Sequence, residues 1–105
     1  MTFVHMSEEH APVVEITPEP TPNPNAFKFT VDQPPTDQRS LTFTAGSDPS
    51  ESPLGARIYA LEGVTNVFMT PRFVSVTKED DVSWNDLGPE VVEAIQAHFS
   101  EAGGA

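Results

Sequence analysis

Apolar and polar residues alternate most cleanly over Ala26–Asp32, where Phe27, Phe29 and Val31 fall on one side and Lys28 and Thr30 on the other. A period of two marks a strand with one face buried. The same period is present at Val13–Thr17, with Val14 and Ile16 together, and at Ser40–Thr44, with Leu41 and Phe43 together. Prolines at 18, 20, 22 and 24 are expected to end the first of these strands. The third is expected to pair antiparallel with the strand of Phe29, across a connection containing Pro34 and Pro35. After a loop at Ala45–Glu51 the period lengthens. Ser52 can cap a helix, Pro53 suits its first turn, Leu54, Ile58 and Leu61 make an apolar stripe, and Gly63 stands where a left-handed cap is wanted. Gly55 inside that helix costs roughly 1 kcal/mol relative to alanine, which marks a place of close packing against the sheet. Val64–Thr70 and Arg72–Glu79 flank Pro71 and read as a hairpin that turns Val67, Met69, Val74 and Val76 inward. Phe68 and Phe73 then need cover, either on a second, smaller apolar surface or where the sheet twists.

The last element opens on Ser83-Trp84-Asn85-Asp86, the pattern of a capping box, and continues as a stripe of Trp84, Leu87, Val91, Ile95 and Phe99. Gly88 and Pro89 are expected to kink it or to restart it at Pro89. The elements predict an α+β fold in β-β-β-α-β-β-α order: a two-layer sandwich with an antiparallel sheet of about four to five strands and two helices on one face. Its domain is expected over residues 13–99, between a disordered N-terminal tail at 1–12 and a flexible tail at 100–105 that contains Gly103 and Gly104.

Composition narrows the chemistry. At 105 residues the chain holds one small core. It has no cysteine, which excludes a disulfide framework, a thiolate zinc site, a cysteine nucleophile and a cluster ligated by its own thiolates. A net charge of −11, with 16 acidic and 5 basic residues, argues against a nucleic-acid partner. The basic residues Lys28, Arg39, Arg57, Arg72 and Lys78 are scattered. No apolar run is long enough for a membrane span or a secretion signal, so no membrane partner is expected and the chain reads as cytoplasmic.

Catalytic motifs are missing: there is no phosphate-cradling glycine loop, no nucleophile elbow and no pair of histidines at metal-ligand spacing. His5 and His10 fall in the expected tail and His98 in the last helix, so the chain is not read as an enzyme. Glu79, Asp80 and Asp81 are adjacent carboxylates without calcium-loop spacing and read as a solvated turn. No metal-ligating residue is assigned.

One segment has more specific chemistry. In Thr21-Pro22-Asn23-Pro24-Asn25 two prolines fix φ, remove donors and push the residues before them towards extended geometry. Asn23 and Asn25 can fold their amides back onto nearby backbone. The corner is therefore stiff, and it is either a structural turn or a recognition loop.

These residues carry a resemblance. Thr21-Pro22-Asn23-Pro24-Asn25 followed by Phe27-Lys28-Phe29, then Ser52-Pro53-Leu54 with Leu61-Glu62-Gly63-Val64, and finally Phe73-Val74-Ser75-Val76-Thr77-Lys78-Glu79 before Trp84 resemble the N-terminal domain of the NifU-like (Nfu) iron-sulfur cluster scaffold proteins. The resemblance runs from Val13 to Phe99. It implies a small α/β domain joined to a separate C-terminal domain whose paired cysteines hold a bridging cluster. With no cysteine here, the chain reads as a stand-alone N-terminal domain, and cluster ligation transfers to none of its residues.

The function that follows is a non-enzymatic accessory or docking module in iron-sulfur cluster assembly or delivery. Its expected partners are proteins of cluster biogenesis, and its candidate contact surface is the corner Thr21, Pro22, Asn23, Pro24 and Asn25. The alternative is a weak iron or divalent-cation binding domain that uses surface carboxylates such as Glu79, Asp80 and Asp81. Iron is the one cofactor the resemblance leaves open.

Overall fold

The computed structural model describes residues 14–103, so the expected tail at 1–12, Val13 and residues 104–105 lie outside the described residues. Its strands are β1 (Ile16–Pro20), β2 (Ala26–Val31), β3 (Leu41–Phe43), β4 (Val64–Met69) and β5 (Phe73–Lys78). Its helices are α1 (Pro53–Tyr59) and α2 (Trp84–Gly103), with a short 3-10 turn at Pro49–Glu51 before α1. The strands form one antiparallel sheet in the order β1-β2-β5-β4-β3. Both helices cover one face of it, as expected, and Leu54, Ile58, Leu87, Val91 and Ile95 share a core with Phe29, Phe43, Val67, Met69, Val74 and Val76.

Two strands depart from the expected arrangement. The first begins at Ile16 and continues through Pro18 and Pro20 instead of ending before them. This is an edge strand. The Glu15 carbonyl accepts from the Asp32 amide, so by alternation Glu15, Thr17 and Glu19 turn their backbone groups to β2 while positions 16, 18 and 20 turn theirs outward. Both prolines therefore lack an N–H only where no neighbouring strand among the described residues would receive it. The other departure is β3, which pairs with β4 at the opposite edge and not with β2. Residues 32–40, with Pro34 and Pro35, cannot make a tight hairpin and instead carry the chain past β5 and β4, burying Pro35 on the way. The place beside β2 goes to β5, which sets Val74 against Phe29 and Val76 against Phe27 on the buried face.

Helix α1 starts as its sequence indicates. Ser52 Oγ accepts from the Gly55 amide at 2.9 Å, and Pro53 takes the first position. Asp48 caps the preceding 3-10 turn, and the bonds it accepts from the Ser50 amide and hydroxyl hold its carboxyl below the usual carboxylate range. Gly55 does lie at a close approach, since a Cβ there would fall 2.9 Å from the Phe43 ring and 3.0 Å from Met69 Cε. The helix stops at Tyr59, short of Gly63. Gly63 has a φ of +96°, but it uses that conformation in the turn into β4, where its carbonyl accepts from the Glu79 amide.

Helix α2 runs unbroken through Gly88 and Pro89, against the expected kink or restart. Pro89 lies in the second turn, where the hydrogen bond it cannot make would have gone to the carbonyl of Asn85, an exposed residue that water can serve. Ser83 Oγ caps the start by accepting from the Asn85 amide at 3.0 Å. The helix continues through Gly103, past the Phe99 boundary expected for the domain. On α2 the Gln96 side chain accepts from the Val14 amide at 3.1 Å and donates to the Val14 carbonyl at 2.8 Å, which clamps the segment before β1 to the helix layer. Phe68 and Phe73 lie on the face away from the helices, with ring centroids 6.2 Å apart and the Lys28 ammonium 4.9 Å from the Phe73 ring. They make the smaller apolar surface that the sequence left open.

Candidate functional site

The corner between β1 and β2 is held by its own side chains first. Thr21 Oγ accepts from the Asn23 amide at 3.1 Å, and its hydroxyl lies 2.9 Å from the Asn23 carbonyl and 3.0 Å from the Ala26 carbonyl. Asn23 Oδ1 accepts from the Asn25 amide at 2.9 Å, and the Asn23 carbonyl accepts from the Ala26 amide at 2.9 Å. This is the local capture expected of asparagine in a turn. Pro22, Asn23 and Pro24 remain exposed at the apex. Among the described residues the side-chain nitrogen of Asn23, Nδ2, has no partner, so the apex offers an unspent NH2 group between two proline rings.

Asn25 does not fold back as the sequence suggested. Its Oδ1 accepts from Lys78 Nζ at 3.1 Å and its Nδ2 donates to the Asp80 carboxylate, both far along the chain. Lys78 also donates to the Glu79 carbonyl at 3.2 Å, and its ammonium lies 5.9 Å from the Trp84 ring. The Lys78 amide donates to the Asn25 carbonyl at 2.8 Å, and the Trp84 indole N–H donates to the Pro24 carbonyl at 3.2 Å. Trp84 in turn stacks against Phe27, with centroids 5.1 Å apart, and reaches Phe29 at 6.2 Å. The corner is thus tied to β5, to the turn after it and to the first residue of α2.

Lys78, Asp80 and Trp84 were not singled out for this corner from the sequence, where Lys78 counted only as one of several scattered cations. A signal was present. Lys78 continues the inward register of Val74 and Val76, and a lysine on a core-facing position needs local acceptors. Lys78 is 8% exposed, and the acceptors are Asn25 and Glu79.

The run Glu79, Asp80 and Asp81 does not converge on one point. Asp80 is engaged by Asn25, while Asp81 lines a separate groove with Glu62, Val82, Ser83, Asp86, Leu87 and Glu90. Among the described residues no group of three or more histidines and carboxylates is placed to hold a metal ion. His98, on α2, stands edge-on to Phe99, and burial together with the nearby Arg57 guanidinium lowers its imidazole pKa from the ordinary value. No helix among the described residues is long and apolar enough to cross a membrane.

Comparison with known proteins gives this fold and corner a setting. Residues 16–102 match the family described as scaffold protein Nfu/NifU N terminal. The human mitochondrial NFU1 iron-sulfur cluster scaffold homolog is 36% identical over 86 residues, which cover 81% of this chain and 34% of that protein. NifU-like protein 4 of Arabidopsis thaliana, also mitochondrial, is 39% identical over 85 residues, covering 81% and 30%. The chain thus spans about a third of the length of these relatives. Their names place them in mitochondria, so the cytoplasmic reading rests on the sequence alone. Among solved structures, protein SAV1430 of Staphylococcus aureus superposes with a TM-score of 0.68 at 31% identity, covering 77% of this chain and 98% of that one. A NifU-like protein of Saccharomyces cerevisiae superposes at 0.72 with 22% identity, covering 84% and 80%, which bears on the fold alone. With most of its length matched to one family and its fold shared with NifU-like structures, this chain belongs to the Nfu/NifU N-terminal family.

Proposed function

We propose that this chain is a non-enzymatic docking module in iron-sulfur cluster assembly or delivery, which works by protein contacts through the Thr21–Asn25 corner and does not itself ligate a cluster. The role in cluster assembly is taken from the family and from relatives named as cluster scaffolds. The absence of cysteine supports contact over ligation, since thiolates are the usual cluster ligands. The observation that carries the docking reading is the corner itself. Its apex of Pro22, Asn23 and Pro24 is exposed while the backbone beneath it is fixed by Thr21, Asn23, Lys78 and Trp84. A surface ordered before it meets a partner loses little entropy on binding.

Because the chain has no cysteine, a single one placed on it is uniquely addressable. A photo-activated cross-linker attached at Pro22→Cys should capture proteins of cluster biogenesis from an anaerobic lysate, and one at Pro34→Cys, at the other end of β2, should not. Equal capture from both positions, or capture of unrelated proteins only, would reject the corner as the contact surface.

A further inference from the structure

Lys78 is nearly buried, yet among the described residues its charge meets no carboxylate directly. It faces the Asn25 amide, whose oxygen takes the lysine's proton donor while its nitrogen donates to Asp80. The amide therefore stands between a cation and an anion with each end matched to its neighbour's charge. Turning it over would set its NH2 against the ammonium and its oxygen against the carboxylate, so a single orientation is held from both sides. Asn25 is also the residue through which the corner leaves for β2: its amide is bound by Asn23 and its carbonyl accepts from the Lys78 amide. We propose that Lys78 and Asp80 are positioning residues that set the presentation of the Pro22–Asn23–Pro24 apex by clamping the Asn25 amide between opposite charges. The proposal rests on the docking reading of the corner, and it locates the control of that surface outside the corner, on β5 and the turn that follows.

Methionine at position 78 would keep an unbranched apolar side chain there and remove the ammonium, with both its charge and the hydrogen bonds it donates to Asn25 and Glu79. A purely structural lysine would then change global stability and leave the corner no looser than the rest of the sheet. A clamp loosens the corner alone.

Hydrogen exchange separates the two in the full chain, with Lys78→Met, Lys78→Arg and Asp80→Ala beside wild type. Asp80 is exposed, so Asp80→Ala decides the matter if Lys78→Met fails to fold. The expected result is exchange about tenfold faster at the Asn25 and Ala26 amides in Lys78→Met and Asp80→Ala, with Phe29 and Val76 unchanged and partial restoration in Lys78→Arg. Cross-linking from Pro22→Cys should fall in the same two variants at unchanged melting temperature. Corner exchange equal to wild type in Asp80→Ala, or a uniform rise across the sheet in Lys78→Met with none in Asp80→Ala, would overturn the clamp. If wild type captures no partner from Pro22, the docking reading falls by itself, and the exchange data still decide whether Lys78 and Asp80 hold the corner.

Discussion

At Gly63 one residue meets two independent demands. Its φ of +96° is disfavoured for any residue with a Cβ, and a Cβ there would lie 2.6 Å from Val82 Cγ2. Gly63→Ala should therefore destabilise the fold by about 1–3 kcal/mol, read as a lower urea midpoint at unchanged slope. The glycine stood out in the sequence, but its left-handed conformation serves the entry to β4, because α1 had already ended at Tyr59. His98 gives a test of a different kind. Burial and the Arg57 guanidinium lower its pKa from the ordinary 6.5, so the unfolded chain takes up a proton before the folded one does. The folded state is then undercut as pH falls from about 6.5 through the folded value, and the loss is complete below it. His98→Gln should remove that part of the pH dependence. Melting temperatures of the two proteins from pH 8 to 5 that stay parallel would show that His98 contributes none of it.

Elements follow the same logic of place. Alternation located β2 and the β4–β5 hairpin correctly, because each of those strands buries one face under a helix. It failed at β1, where local chemistry said that proline ends a strand. An edge has one side with no partner, so the rule that forbids proline inside a sheet does not apply there. The same prolines deny an incoming strand its donors. Pro18→Thr with Pro20→Thr should restore two outward N–H groups and promote edge-to-edge association. Sedimentation of the double variant should show a larger mass than the parent at the same concentration, and equal masses would count against the prolines as edge protection. In α2 the stripe of Trp84, Leu87, Val91, Ile95 and Phe99 carries the helix past Pro89, since packing along its whole length outweighs one hydrogen bond missing near an exposed end.

For the whole molecule, Phe29 is where the layers meet. It is 1% exposed, pairs with Val74 across β2 and β5, and has Phe27 and Trp84 as aromatic neighbours at 5.9 and 6.2 Å. Phe29→Ala should cost about 3–5 kcal/mol, a large part of what a small domain holds. A urea midpoint that barely moved would show that the core is organised around other residues. Trp84 links this centre to the corner, because one side of its ring packs on Phe27 while its N–H holds the Pro24 carbonyl. Core damage is therefore expected to be felt at the apex, whereas loss of Lys78 or Asp80 should loosen the apex and spare the core.

The sequence by itself determined, β1 apart, where the elements lie and which of their faces turn inward, because hydrophobic period and helix caps are local and act within a few positions. It also determined the fold class, the family resemblance and the stiff corner at Thr21–Asn25. Only the tertiary structure decided the partners of β2 and β3, the passage of α2 through Pro89 and the destination of the Asn25 side chain. Each of these depends on residues far away in the chain. Strand order is set by which apolar faces best close one core under two helices. Asn25 turns to Lys78 and Asp80 because a nearly buried ammonium needs acceptors, and folding brings that amide within reach.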